Sequence, residues 1–403
     1  MLILLYKGKE SYREMERVQK LYNKAFRIPK EGKLLYHYTT MDTVWKILES
    51  GSMLARNIRF SNDSKEYLLG GETISKYVNQ DSVNSNQEKI EQYILSNIQN
   101  YYMICFCEKG DLLSQWRGYA NDGVSLGMDF LDEEVGCTHS EMFTVLNNKE
   151  SRLDKSDAYG LSENEDVHFL QMPYQVFYIE KEKAKLEDAI MSFQDADSKT
   201  NLLFDLIPFI KDAGFNEEKE YRILFDASDM GGTQAENRVL LSHKVWYIEK
   251  EGRKIPNIAV ELGNAKKKSE KVQQILFGKN VFDMALRQRK NPAELEKNLR
   301  ERLEKENIKI SVSQTKKHIY IGEGNNQEEI MCLIENLLQE LGLTIAYDKG
   351  TKIWCKGRLP IRKIVIGPGE QQRKIQESLQ YYTRNTFWLR YVDIENSKIP
   401  LQK

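Results

Sequence analysis

The stretch Glu218-Lys219-Glu220-Tyr221-Arg222-Ile223-Leu224-Phe225 joins an acidic run, which also includes Glu217, to a strand-forming segment from Tyr221 to Phe225. Side chains alternate between the two faces of a strand, which puts Glu218, Glu220 and Arg222 on one face. Carboxylates beside an arginine at the entrance to an apolar strand read either as a salt bridge or as a poised catalytic acid. Working outward, similar short strands are read at Leu34–Thr39, Met103–Phe106, Val124–Phe130 with Gly127 inside it, and Tyr174–Ile179. Val239–Leu241, Val245–Ile248 and Ile258–Val260 follow on the C-terminal side, and Met53-Leu54 is extended. Helical patterns fall between the strands. Val44, Trp45, Ile47 and Leu48 line a helix with Thr40 and Asp42 as cap residues and Gly51 as its stop. Others cover 66–78, 90–98, 181–194 and 198–212, with a helical turn at Leu112–Tyr119. This order predicts an α+β fold.

The chain has 403 residues, with 59 Lys+Arg against 60 Asp+Glu, a formal net charge of −1 and a pI of about 6.6. That balance excludes a globally basic nucleic-acid coat and an acidic disordered tail protein. Leu2-Ile3-Leu4-Leu5 is too short for a signal-peptide core, and no stretch approaches the roughly 18 apolar residues of a membrane span. The five cysteines, at 105, 107, 137, 332 and 355, form no C-x-x-C pair. A disulfide framework is therefore not expected, and a reducing cytoplasm is the expected location. Cys105 and Cys107 read as core thiols of a buried strand. The histidines at 37, 139, 168, 243 and 318 have no metal-ligand spacing, so no metal is expected.

The organisation expected is an N-terminal amphipathic helix within 1–32, a core over 33–262 and a C-terminal α/β region over 263–403. Tyr12, Met15, Val18, Leu21, Tyr22 and Phe26 form the apolar stripe of the first, ended by Pro29 and Gly32. In the last, Ile275–Gly278 and Ile364–Gly367 each open a strand–turn–helix, followed by strands at 308–312 and 388–394. These are two β-turn-α units or a duplication. An inserted piece at about 285–350 carries a strand at 317–321, a helix at 327–341 and a strand at 344–347. Its highly charged helix, where acids and bases alternate, reads as a solvated face.

Four clusters offer chemistry. His37 lies on a strand between Tyr36, Tyr38 and Thr39, where a lone histidine is structural or a ligand contact. Asn62 and Asp63 with Glu66 read as a capped helix start. Ser114-Gln115-Trp116-Arg117-Gly118-Tyr119 ahead of Asp122-Gly123 suits an aromatic ring and an anionic group, or is a core tryptophan beside a surface arginine. The fourth cluster is Glu218, Glu220 and Arg222.

Tyr36-His37-Tyr38-Thr39, Phe60-Ser61-Asn62-Asp63 with Glu66, Cys105-Phe106, Leu113–Tyr119 with Gly123 and Gly127, and Glu218–Arg222, in this order, resemble a bacterial family catalogued as domain of unknown function 2971. Ile366-Gly367-Pro368 and Ser397-Lys398-Ile399-Pro400 resemble its C-terminal pattern. The His-x-Thr strand followed by Ile47-Leu48-Glu49-Ser50-Gly51 is similar, more weakly, to the opening of the ADP-ribosyltransferase superfamily, in which a His, a Tyr and a Glu grip NAD. This second resemblance implies a mixed, mostly antiparallel split sheet with flanking helices as the core, NAD as substrate and no metal. It implies catalytic roles for His37 on the ribose, Tyr119 on nicotinamide and Glu220 on the nicotinamide ribose, with Tyr38, Thr39, Asn62, Asp63, Trp116, Arg117, Glu218 and Arg222 around them. The function expected is an NAD-consuming transferase or NAD glycohydrolase acting on a protein or nucleic acid, as a toxin or an anti-phage effector. Two alternatives stand beside it. One is a non-catalytic nucleotide- or nucleic-acid-sensing module. The other is a structural interaction protein that meets a partner through the N-terminal helix or the 285–350 piece. No membrane partner is expected.

Overall fold

The computed structural model describes residues 20–30, 32–61, 66–77, 92, 95, 96, 98–120, 123–130, 143–145, 167–169, 172–196, 201–227, 245–262, 272–275, 292–305, 310–313, 318–322, 336, 360–386, 389 and 392–400. Asn62 and Asp63, most of the predicted N-terminal helix, the predicted strand at 239–241 and most of the 285–350 piece lie outside the described residues.

Strand β1 (Leu35–Thr39) leads through helix α1 (Met41–Ser50) to β2 (Ser52–Asn57). Gly51 ends α1 at φ 69°, a left-handed turn that glycine takes without a Cβ clash, and its N–H donates to the Ile47 carbonyl. Helix α2 (Glu66–Ser75) precedes β3 (Tyr101–Cys107) and β4 (Val124–Met128). Short strands β5 (Phe143–Val145), β6 (Val167–Phe169), β7 (Tyr174–Gln175) and β8 (Phe177–Tyr178) come next, then helix α3 (Lys183–Ala196) and β9 (Ile210–Lys211). The acidic run opens β10 (Glu220–Asp226), followed by β11 (Val245–Lys250) and β12 (Arg253–Leu262). The C-terminal elements are β13 (Val272–Ile275), α4 (Pro292–Lys305), β14 (Ile310–Ser313), β15 (His318–Gly322), β16 (Ile361–Ile366), α5 (Gln372–Asn385) and β17 (Asp393–Asn396).

Two sequence expectations change here. The single helix read at 198–212 breaks into a helical turn at Asn201–Phe204, a 3-10 turn at Ile207–Phe209 and then β9. Pro208 explains the break, because its ring and missing N–H are rejected by a helix interior. The strand read at 174–179 divides into β7, which pairs with β10, and β8, which pairs with β9 in a separate two-stranded sheet.

Among the described residues, twelve strands form one sheet along the order β17-β16-β4-β1-β3-β2-β12-β5-β6, with β10 and β7 branching from β3 and β11 from β12. Every pair in it is antiparallel except β16–β17. The architecture is therefore α+β with a mostly antiparallel open sheet and flanking helices. Residues 361–396 belong to the same sheet as residues 35–128, because β16 pairs with β4. The first β-turn-α unit builds a different sheet, in which β15 lies between β13 and β14. In the second unit β16 and β17 are direct parallel neighbours.

The sheet forks at β3. One edge of β3 pairs along its length with β10, from Glu220 opposite Cys107 to Asp226 opposite Tyr101. Its other edge meets β2 at Tyr102 and Met103, and β1 at Cys107. Cys105 lies between those two contacts, and its carbonyl accepts a hydrogen bond from Nδ1 of His37 at 3.0 Å. A carbonyl can only accept, so Nδ1 carries the proton. The imidazole thus satisfies a strand carbonyl at the point where β1 and β2 diverge.

Candidate functional site

Paired residues in adjacent antiparallel strands point to the same face. Tyr36, Cys107 and Glu220 form such a row across β1, β3 and β10. His37, one residue further along β1, therefore faces the opposite side, where its ring lies 5.9 Å from that of Phe106. Burial lowers its pKa, with the nearby Arg56 charge adding to the effect and the Cys105 hydrogen bond opposing it. His37 is a neutral staple of the fork and is not on the Glu220 side.

The Glu220 face holds a buried ion cluster. Nε of Arg222 donates to Oε1 of Glu220 at 2.7 Å, and one terminal nitrogen reaches Oε2 of Glu220 at 2.9 Å and Oε1 of Glu66 at 2.7 Å. The other terminal nitrogen donates to the Pro208 carbonyl. Nζ of Lys211 lies 2.6 Å from Oε2 of Glu220, 2.7 Å from Oε2 of Glu218 and 3.2 Å from Oε1 of Glu66. All five side chains are buried. Three carboxylates against two cations leave one excess negative charge.

Each residue reaches the cluster by a different route. Glu220 and Arg222 are two apart in β10 and share its face, as strand alternation predicts. Glu218 does not arrive by alternation. It ends a 3-10 turn over Ala213–Glu218, and Lys219 then takes a left-handed conformation at φ 45°, ψ 55°. That reversal breaks the strand geometry before Glu220. The thiol of Cys107 donates to the Glu218 carbonyl at 2.7 Å and ties the turn to β3. Lys211 comes from β9 and Glu66 from the first turn of α2. The Glu220 N–H donates to the Tyr178 hydroxyl at 2.9 Å.

The ionisation states follow from these contacts. Burial alone would raise the pKa of Glu220, but Arg222 and Lys211 outweigh it and hold the carboxyl far below its ordinary value. Burial lifts that of Glu218, aided by the Glu220 charge and opposed by Lys211. Burial disfavours the charged form of Lys211, yet the carboxylates around it keep it firmly protonated. Burial pushes the Cys107 thiol up to about 12, which makes it unreactive, and burial also raises Cys105 well above its ordinary value.

The aromatic cluster has two parts. Trp116 is buried edge-to-face against Tyr38 at 4.7 Å, and its Nε1 donates to Oδ1 of Asp111 at 2.8 Å. The Tyr38 hydroxyl donates to the Lys109 carbonyl at 2.8 Å and accepts from the Leu112 N–H at 2.9 Å. Both rings brace the turn after β3, and Thr39 is buried at the end of β1. The π-type turn Trp116–Ala120 then turns outward, leaving Arg117, Gly118 and Tyr119 exposed. Trp116 packs with Tyr38 and Cys107 on the Glu220 face, and Tyr119 follows on the same turn. The Tyr119 pKa is raised by burial first, and then by Glu220 and Glu218, with Lys211 opposing. The residue as a whole nevertheless stays 43% exposed.

Of the residues read from the sequence, Glu218, Glu220 and Arg222 come together, Tyr119 lies near enough to feel their charges, and His37 stays apart. Sequence reasoning missed Lys211, and it placed Glu66 only in a helix cap. The available signal for Lys211 was a lysine closing the run Leu202–Ile210, apolar except for Asp205, in which Pro208 already argues against one continuous helix. A cavity of about 560 Å³ lies elsewhere, lined by Lys24, Arg27, Gln175, Phe177 and Lys185 among others, and no cluster side chain enters it. Among the described residues no group of His, Cys, Asp or Glu is arranged to hold a metal, and no helix is long and apolar enough to cross a membrane.

Residues 115–223 match the family model described as "Protein of unknown function (DUF2971)", in keeping with the resemblance carried by the sequence clusters. The matched segment begins at the Gln115–Tyr119 turn and ends within β10, so it contains both sides of the site except Glu66. No curated protein and no solved structure matches the chain.

Proposed function

We propose that the chain binds NAD beside the Glu218–Glu220 end of β10 and breaks its nicotinamide–ribose bond. ADP-ribose passes to a protein or nucleic acid, or to water, and the activity acts as a toxin or an anti-phage effector. The observation that supports this reading is an exposed Tyr119 ring beside a buried cluster whose carboxylates outnumber its cations. Cleavage of that bond develops oxocarbenium character, which a fixed excess of negative charge stabilises. Tyr119 offers a face to the planar ring, and Arg117, exposed on the same turn, is the cation proposed for the diphosphate. Both oxygens of Glu220 are engaged by Arg222 and Lys211, so Glu220 acts as fixed charge and Glu218 faces the sugar. His37 has no part in this version of the site. The test is nicotinamide release from NAD by the full chain, by Glu218→Gln and by Glu220→Gln, with varied acceptors. Release by the native protein that falls in both variants is expected. Equal release by all three, or none with any acceptor, would sink the proposal.

A second reading, a non-catalytic nucleotide- or nucleic-acid-sensing module, draws on the same pairing of Glu220, because a carboxylate locked by two cations also suits a purely structural role. Salt-dependent binding of RNA or DNA with no consumption of NAD would favour it.

A further inference from the structure

The cavity of about 560 Å³ is built from three parts of the chain: residues 24–27, residues 175–177 of β7 and β8, and α3. Its volume is within the roughly 300–1,000 Å³ of small-molecule sites. Phe26, Phe177 and Ala189 are buried and give it an apolar lining. Gln175 also lines it and is only 8% exposed, yet among the described residues its side-chain amide makes no hydrogen bond. A buried amide is costly without a partner, and the cavity is the space that can hold one. Lys24, Arg27 and Lys185 line the same cavity against Glu182 and Asp188, which leaves a net positive charge. A terminal nitrogen of Arg27 and Nζ of Lys185 each lie 3.3 Å from the same Glu182 oxygen, Oε1. Tight charged pairs close to about 2.7–2.9 Å, so both cations are held loosely. Lys24 makes no ion pair among the described residues.

We propose that this cavity binds a nucleoside monophosphate, with its phosphate on Arg27, Lys24 and Lys185 and its base against Gln175 and the apolar lining. Arg27 offers a planar fork of donors suited to phosphate oxygens, and the two lysines add point charge. The Gln175 amide presents one acceptor and two donors, the complement of a base edge that carries both kinds of group. The rings of Phe26 and Phe177, with centroids 5.3 Å apart, supply apolar contact for the base. Inorganic phosphate would leave the amide and the lining unused, and a neutral nucleoside would leave the cations unused. The site is separate from the one proposed for NAD, and neither proposal depends on the other.

The probe is AMP, compared with adenosine and with inorganic phosphate by calorimetric titration of the full chain. AMP should bind about tenfold or more tighter than either fragment. Arg27→Gln should weaken AMP about fivefold or more through the phosphate. Gln175→Leu should weaken AMP about threefold or more without raising its sensitivity to salt, because it removes base contacts and no charge. The same variant should keep or raise the melting temperature, since no protein group loses a partner. Arg117→Gln should leave AMP binding unchanged. No measurable binding of AMP, or phosphate binding as tightly as AMP, would overturn the site. So would AMP binding that falls in Arg117→Gln and is untouched in Arg27→Gln, which would place the nucleotide beside Tyr119 instead. AMP binding with this variant pattern and no NAD cleavage would leave the cavity site standing and remove the enzymatic reading. NAD cleavage without AMP binding would do the reverse.

Discussion

Replacing Lys211 by methionine keeps most of the side-chain volume and removes one cation from a cluster that already lacks one. Its Nζ lies 2.6, 2.7 and 3.2 Å from carboxylate oxygens of Glu220, Glu218 and Glu66. At an effective dielectric constant of about 20, each contact represents roughly 5–6 kcal/mol of attraction, most of it offset by the desolvation of the ions. Removing one partner loses the attraction but leaves the carboxylates buried, so a net loss of about 3–5 kcal/mol is expected near neutral pH. The pH dependence gives a sharper signature. The folded-state pKa of Glu220 is depressed below its ordinary 4.5, so its stabilising contribution is present above that value and fades as pH falls through the folded-state pKa. Glu218 behaves oppositely. Its folded-state pKa is raised, so the folded state favours its protonated form, and that contribution is lost as pH rises through the raised value. Without Lys211, protonation of Glu218 is the remaining way to relieve the excess charge. The deficit of Lys211→Met relative to the native chain should therefore shrink as pH is lowered from about 8 to about 5.5. Urea denaturation at both pH values measures it. A deficit below about 1 kcal/mol, or one that is the same at both pH values, would refute the account of the cluster as a charge-starved network.

Gly123→Ala should destabilise by at least about 2 kcal/mol, because a Cβ there would stand 2.1 Å from the Thr39 carbonyl oxygen and close to two further backbone atoms. Gly118→Ala is the control. A Cβ there meets nothing within 4 Å, and alanine in a helical turn gains about 0.5–1 kcal/mol, so thermal melts of the two variants should move in opposite directions. Asp111→Ala removes acceptors for Trp116 Nε1 at 2.8 Å, Ser397 Oγ at 2.6 Å and the Lys398 N–H at 2.8 Å. It should cost roughly 2–4 kcal/mol and speed hydrogen exchange at 397–400 while β10 stays protected, a pattern that peptide-resolved exchange can check. His37→Ala strands the Cys105 carbonyl and should cost about 1–3 kcal/mol. Its effect on stability should add to that of Glu218→Gln within about 0.5 kcal/mol, since the two side chains lie on opposite faces of the sheet, and a double-mutant cycle in urea tests this.

The local patterns were legible and the non-local ones were not. Tyr221 to Phe225 reads as a buried strand because its alternation and β-branched and aromatic content are local properties, and β10 is buried at every position. The placement of Glu218 on the same face also came out right in effect, but for another reason. Alternation assumed a continuous strand, whereas Lys219 reverses the backbone and Lys211 draws Glu218 in. Lys211 itself was hidden, because its role depends on β9 packing beside β10, and no spacing in the sequence encodes that. The side of His37 was hidden for the same reason. It depends on Tyr36 standing opposite Cys107, and Cys107 opposite Glu220, a register set over three strands.

That register also separates two jobs that the order of residues in the sequence would merge. A histidine, a tyrosine and a glutamate met in succession suggest one constellation, yet the sheet assigns them to two faces. On one face His37 meets a carbonyl that the diverging strands leave open, which is a requirement of any sheet that forks. On the other, β9, α2 and the turn before β10 converge on Arg222 and gather three carboxylates around two cations. A fork needs only one satisfied carbonyl, but it does not need an excess of buried negative charge. The fork therefore accounts for His37 fully and for the cluster not at all. The buried charge gathered by Glu66, Glu218 and Glu220 is therefore the feature that the proposed function has to explain.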